Sequence, residues 1–154
     1  MGSGFIVGSP YQTIDNIISD LEFLYKLQPD MIGIGPFVAA SDTPFETFEN
    51  GGVELTIKLV SIIRICFPYA LIPATTALGT LDNEGREKAL RAGANVVMPN
   101  ITPKVYREKY KIYDNKLGSG VESVEGKLLL TNRIRNAGYE PVVDRGDVAV
   151  KLHI

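Results

Sequence analysis

The sequence predicts an α/β fold in which parallel strands are joined by helical crossovers, and three observations predict it. Short, β-branched apolar runs alternate with amphipathic stretches four times between Gly4 and Tyr113. The runs are apolar at successive positions, as suits strands covered on both faces. Proline or glycine stands at nearly every junction, at Pro10, Pro29, Gly35-Pro36, Gly51-Gly52, Pro68, Gly93 and Pro99, which keeps each element short.

The first run, Gly4-Phe5-Ile6-Val7-Gly8, reads as a buried strand closed by Ser9-Pro10. Ile14, Ile17, Ile18, Leu21, Leu24 and Leu27 then recur at helical spacing, with Thr13 as N-cap, Asp15 in the first turn and Pro29 as the stop. Asp30 to Val38 is the second strand, and a polar loop, Ala40 to Asn50, follows it. Gly51-Gly52 opens an amphipathic helix that runs to Phe67 and ends before Pro68. Ala70 to Thr76 reads as the third strand, and a helix from about Asn83 to Arg91 is capped by Gly93. Ala94 to Pro99 reads as the fourth strand, and Pro103 at a first helical position opens another helix. After Tyr113 the pattern weakens, with one further helix expected from Leu128 to Ala137 and an irregular tail beyond.

Four such units are half of a (β/α)8 barrel. They cannot close, because the eight-strand circuit fixes tilt and shear, so two sheet edges are expected to stay open. This predicts either truncation or pairing with another chain. A net charge of -2 and interspersed Lys and Arg residues give no footprint for nucleic acid. No apolar run reaches the length of a membrane helix, and Met1-Gly2-Ser3-Gly4 has no signal-peptide character, so a cytoplasmic location is expected. The single cysteine, Cys66, excludes an internal disulfide and reads as a small core residue.

Parallel β/α folds collect ligands at the carboxyl ends of their strands. Here those ends are Gly8-Ser9-Pro10, Gly35-Pro36-Phe37, Thr75-Thr76-Ala77 and Met98-Pro99-Asn100, which offer hydroxyls, amides and a thioether but no carboxylate or imidazole. Such a pocket binds and by itself catalyses little. The one histidine, His153, is a tail residue, and one cysteine with one histidine makes no zinc or iron site. The Gly-x-Gly of Gly2 to Gly4 lies within a strand and not at the following turn, which argues against a dinucleotide fingerprint. Gly4 and Gly8 fit either the close approach of a flat ligand or tight packing of neighbouring backbone. Of Thr75 and Thr76, strand alternation lets only one face a barrel interior. Tyr106, Tyr110 and Tyr113 share one helical face, which either packs on the sheet or brings a phenol to the cavity mouth.

Five blocks of residues are recognisable together: Gly4 to Thr13, Asp30 to Phe37, Asp42-Thr43-Pro44, Ile72 to Thr80 and Ala92 to Asn100. In that order, over about residues 3 to 113, the chain resembles the HydE family of [FeFe]-hydrogenase maturases, which are radical S-adenosylmethionine enzymes. Biotin synthase and methylornithine synthase share the first block more loosely. The resemblance implies that residues 1–113 are the C-terminal half of a radical barrel, its strands 5 to 8, and that residues 114–154 are an extension packed on it. It further implies S-adenosylmethionine and a [4Fe-4S] cluster in the intact enzyme, the cluster held by a Cys-x3-Cys-x2-Cys motif in the first half. That motif is absent from this chain, so no residue here is expected to ligate a metal or act alone as a catalyst.

By position, the resemblance assigns Gly4, Ile6, Gly8 and Pro36 to the cofactor side, with Tyr11 where related enzymes often carry Glu. It assigns Met31, Thr75, Thr76, Met98, Tyr110 and Tyr113 to the substrate cavity. The implied partners are the missing N-terminal half-barrel, a small-molecule substrate and other hydrogenase maturation proteins. Three other readings compete: a stand-alone half-barrel that binds a small ligand or self-associates through its open edges, an inactive partner that completes a barrel with another polypeptide, and a relative of methylornithine synthase or biotin synthase.

Overall fold

A computed structural model describes residues 1–99, 103, 106 and 123–148. Strand β1 (Gly2–Val7) and strand β2 (Met31–Pro36) pair in parallel, from Gly2 opposite Met31 to Val7 opposite Pro36. Helix α1 (Ile14–Leu27) connects them. The Thr13 hydroxyl accepts from the Asn16 N–H while the Asn16 side chain accepts from the Thr13 N–H, a reciprocal cap that satisfies two orphan donors of the first turn. At the other end Gln28 turns left-handed at φ 51° and Pro29 prevents continuation. Helices α2 (Val53–Cys66), α3 (Thr76–Leu81), α4 (Gly85–Arg91) and α5 (Ser123–Asn136) follow.

The segments expected as third and fourth strands pair only through isolated parallel bridges, Leu71 with Met31 and Pro73 with Val96. The sequence supplies the reason. Leu71 donates to the Asp30 carbonyl and accepts from the Ile32 N–H, one complete rung against β2. The next rung needs an N–H at residue 73, and proline has none. On the other side Ala74 and Val96 each donate across, but the Ile72 N–H goes to Oδ1 of Asn95 at 2.8 Å and Asn95 Nδ2 returns to the Ala70 carbonyl at 3.4 Å. A side-chain amide thus stands in for a backbone rung. Asn95→Ala is expected to cost about 2 kcal/mol, because it strands the N–H of fully buried Ile72; urea unfolding measures it.

Alternation along the two strands separates a core face from an open one. Val7, Ile32 and Ile34 are essentially inaccessible and pack with Ile17 and Leu24 of α1, Val60 and Ile63 of α2, and Ile72 and Leu78. On the opposite face lie Gly2, Gly4 and Ile6 of β1 and Met31, Gly33 and Gly35 of β2, all exposed or half-buried. The expectation that β1 is buried on both faces is therefore corrected: Ile6 is 56% exposed, because β1 is an edge strand and its second face looks into open space. Cys66 is likewise exposed and not a core residue. The buried stripe of α2 is Thr56, Leu59, Val60 and Ile63, and Cys66 falls at its margin in the last turn.

Helix α5 reaches the body through Arg133, which donates to the Asn83 carbonyl at 3.1 Å and lies 3.7 Å from the Glu87 carboxylate, and through buried Ala137. Among the described residues no helix is long and apolar enough to cross a membrane.

Candidate functional site

The open face of the strands is the floor of a hollow of about 1010 Å³. Of the residues that the sequence singled out, Gly4, Ile6, Met31, Pro36, Thr75, Thr76 and Met98 all border it. Gly8 does not. Its φ of +75° and the 2.6 Å that would separate an added Cβ from the Gly51 Cα show that it is glycine for a turn packed on backbone. Tyr110 and Tyr113 lie outside the described residues; Tyr106 is described and half exposed.

Each wall has a local cause. The tip of β1 is held by Gln12, whose side chain accepts from the Gly8 N–H at 2.6 Å and donates to the Ile6 carbonyl at 2.9 Å. Gly4 is the register partner of Gly33, and an added Cβ would come within 1.8 Å of the Gly33 carbonyl oxygen, so neighbouring backbone requires this glycine. Gly35 lies under Thr75, whose hydroxyl would be 2.9 Å from an added Cβ.

Thr75 and Thr76 both border the hollow, contrary to the expectation that alternation would admit only one. Thr75 is the N-cap of α3 and Thr76 its first residue, so the period of two has already ended. The Thr76 hydroxyl accepts from Arg86 Nη2 at 3.0 Å, which leaves its own proton free to point elsewhere. The Thr75 hydroxyl is buried without a partner among the described residues.

One wall was only partly legible in the sequence, which singled out Phe37 and Thr43 but not Val38 or Phe45. The segment after β2 contributes Phe37, Val38, Thr43 and Phe45. It is fastened at its base where Gly51 donates to the Phe37 carbonyl at 2.8 Å and Ala39 donates to Asn50 Oδ1 at 2.8 Å. Phe37, Phe45, Phe48 and Tyr11 form a chain of edge-to-face ring pairs with centroids 5.5–6.3 Å apart. The signal available was the recurrence of phenylalanine at 37, 45 and 48 in an otherwise polar loop.

Among the described residues, none that borders the hollow is ionisable. The walls are mostly apolar, with two thioethers and the threonine hydroxyls as polar handles, so they can select and orient a ligand but supply neither general acid nor general base. Among the described residues no group of three or more His, Cys, Asp or Glu could hold a metal ion.

The described residues thus make an α/β scaffold in which the open face of two parallel strands floors a hollow. Comparison with known proteins narrows the class. Over 116 residues, 75% of this chain and 33% of the relative, the sequence is 50% identical to the [FeFe] hydrogenase maturase subunit HydE of Thermotoga maritima. It is 33% identical over 128 residues to the 3-methylornithine synthase of Methanosarcina barkeri, covering 83% of this chain and 35% of that one. A solved structure of methylornithine synthase matches with a TM-score of 0.68 at 25% identity, over 92% of this chain and 40% of that one. No protein-family model matches. The chain spans about a third of the curated relatives it matches. It is a relative, over part of their length, of HydE and of the radical S-adenosylmethionine enzymes to which HydE and methylornithine synthase belong.

Proposed function

We propose that this chain is the substrate-cavity and S-adenosylmethionine side of a radical enzyme that matures [FeFe]-hydrogenase, and that it corresponds to the last four β/α units of the barrel. The observation that carries the proposal is the hollow along the open face of β1 and β2, in a chain 50% identical over 116 residues to a HydE maturase. The residues fit the organic cofactor. The bare backbone at Gly33, where an added Cβ meets nothing within 4 Å among the described residues, is what a bound group would cover. They do not fit the cluster: the one cysteine is exposed on α2, so the iron ligands must come from polypeptide outside this chain.

In this reading Gly4, Ile6 and Pro36 wall the cofactor side, and Gly8 shapes the turn behind them. Met31, Thr75, Thr76 and Met98 wall the substrate. When bound beside a cluster that donates one electron, S-adenosylmethionine would supply a carbon-centred radical and release its thioether. This chain supplies mostly apolar walls, while the Thr76 hydroxyl, held as acceptor by Arg86, can donate to the substrate. The free edge of β1 is where the remaining half of the barrel pairs, and the protein works in the cytoplasm with other maturation proteins.

Replacing the aligned third of Thermotoga maritima HydE with this chain tests the proposal. The chimera is expected to form 5′-deoxyadenosine from S-adenosylmethionine within about tenfold of the parent rate, roughly 1.4 kcal/mol in barrier. A chimera that folds and carries its cluster but releases none would sink the assignment.

A further inference from the structure

Among the described residues β1 is an edge strand, and its bonds to β2 fix where its peptide groups point. The Met1 carbonyl accepts from the Asp30 and Met31 N–H groups and the Val7 carbonyl from the Phe37 N–H, so the odd-numbered residues turn towards β2. Gly2, Gly4, Ile6 and the Gly8 N–H therefore turn to the free edge. Gln12 covers the end of that edge: its side chain donates to the Ile6 carbonyl at 2.9 Å and accepts from the Gly8 N–H at 2.6 Å.

This pattern has a direction. One residue of a parallel neighbour donates to the carbonyl of residue i−1 and accepts from the N–H of residue i+1, whereas an antiparallel neighbour bonds both groups of a single residue. Bonded to Ile6 and Gly8, the Gln12 amide takes the place of a parallel residue opposite Val7. Two rungs precede it, one opposite Ser3, between the Gly2 carbonyl and the Gly4 N–H, and one opposite Phe5, between the Gly4 carbonyl and the Ile6 N–H. We infer that β1 receives a parallel strand from polypeptide outside this chain over those two rungs alone, and that Gln12 supplies the third, so that the incoming strand leaves the sheet level with Ile6. The occupant belongs to the barrel half that this chain lacks, since the matched segment is only 33% of the HydE relative. Gly2, Gly4 and Ile6 border the hollow, so this short seam sets where the missing wall stands beside it. The inference rests on the barrel-completing reading above and adds where the seam ends.

The test is amide hydrogen exchange of glycine-labelled protein, in this chain alone and in the chimera with Thermotoga maritima HydE. In the chain alone Gly8 is expected to exchange at least about a hundredfold more slowly than Gly4, and Gln12→Ala to erase most of that difference. In the chimera Gly4 is expected to slow by at least about a hundredfold, while Gly8 in the Gln12→Ala chimera exchanges at least about tenfold faster than in the unsubstituted one. Gly33 and Gly35, whose N–H groups face β1, remain slow wherever the strand pair is intact; if they quicken in Gln12→Ala, the near-isosteric Gln12→Met carries the same expectations. A Gly8 amide still protected once the Gln12 amide is gone overturns the inference, because another group or the incoming backbone then bonds it. Slow Gly4 exchange in the chain alone that deepens with protein concentration overturns it as well, since a second copy then covers the edge. A chimera that folds with its cluster but leaves Gly4 as fast as in the chain alone removes the barrel-completing reading, and this inference with it.

Discussion

Gly51→Ala is expected to destabilise the fold by about 3 kcal/mol, and by so much because three backbone segments meet at that residue. Gly51 is buried, and an added Cβ would lie 2.2 Å from the Val7 carbonyl oxygen and 2.6 Å from the Phe37 nitrogen. Those two atoms are bonded to each other, the Phe37 N–H donating to the Val7 carbonyl at 2.8 Å, while the Gly51 N–H donates to the Phe37 carbonyl at the same distance. A methyl group there must separate the end of β1 from the end of β2, and both edges of the hollow depend on that junction. The melting midpoint followed by circular dichroism should fall by roughly 6–12 °C. Next to it, Gly52→Ala brings its Cβ no closer than 3.6 Å to Leu55 Cβ, ordinary contact, and should change stability by less than about 1 kcal/mol. Equal midpoints for the two variants would mean that the close approach at 51 does not exist.

The second large effect separates the two faces of the sheet using one residue type. Ile32 is 0% exposed on the central strand, whereas Ile6 on the edge strand is 56% exposed. Ile32→Ala should therefore cost about 3–4 kcal/mol, transfer plus cavity. Ile6→Ala should cost within about 0.5 kcal/mol in this chain, because the truncated side chain faces the hollow and not the core. Chemical denaturation curves for both variants give the comparison, and similar costs would place the core on the wrong side of β1.

Much of the architecture was legible because local chemistry agreed with the tertiary outcome. Thr13 and Pro29 bound α1 where the apolar spacing begins and ends, and Gly52 and Phe67 bound α2. The third and fourth strands were misjudged in extent. A run such as Ile72-Pro73-Ala74 is apolar enough for a strand, but the missing N–H of Pro73 limits the ladder to single rungs, and the compensating amide of Asn95 is contributed from 23 residues away. Helix α3 was hidden for a related reason: Thr75-Thr76 looks like strand, and only its docking beside α4, where Gly85 lies against Leu78, makes a helical turn there favourable. In the hollow, the strand-end residues could be named from the rule that parallel strands gather ligands at their carboxyl ends. Phe45 and the ring chain behind it could not, because ring contacts across a loop leave no periodic trace.

By itself the sequence determined the parallel strand-and-helix alternation, the caps, the scarcity of cysteine and histidine, and the resemblance to a radical maturase; each is written in short-range spacing or in residue identity. Only the tertiary structure decided which face of β1 and β2 is bare, that Gly4, Gly8 and Gly35 answer to neighbouring atoms while Gly33 answers to open space, and that Cys66 lies outside the core. Those outcomes depend on what another part of the chain places within a few ångströms, and a glycine or a cysteine looks the same in sequence whether the space beside it is filled or empty.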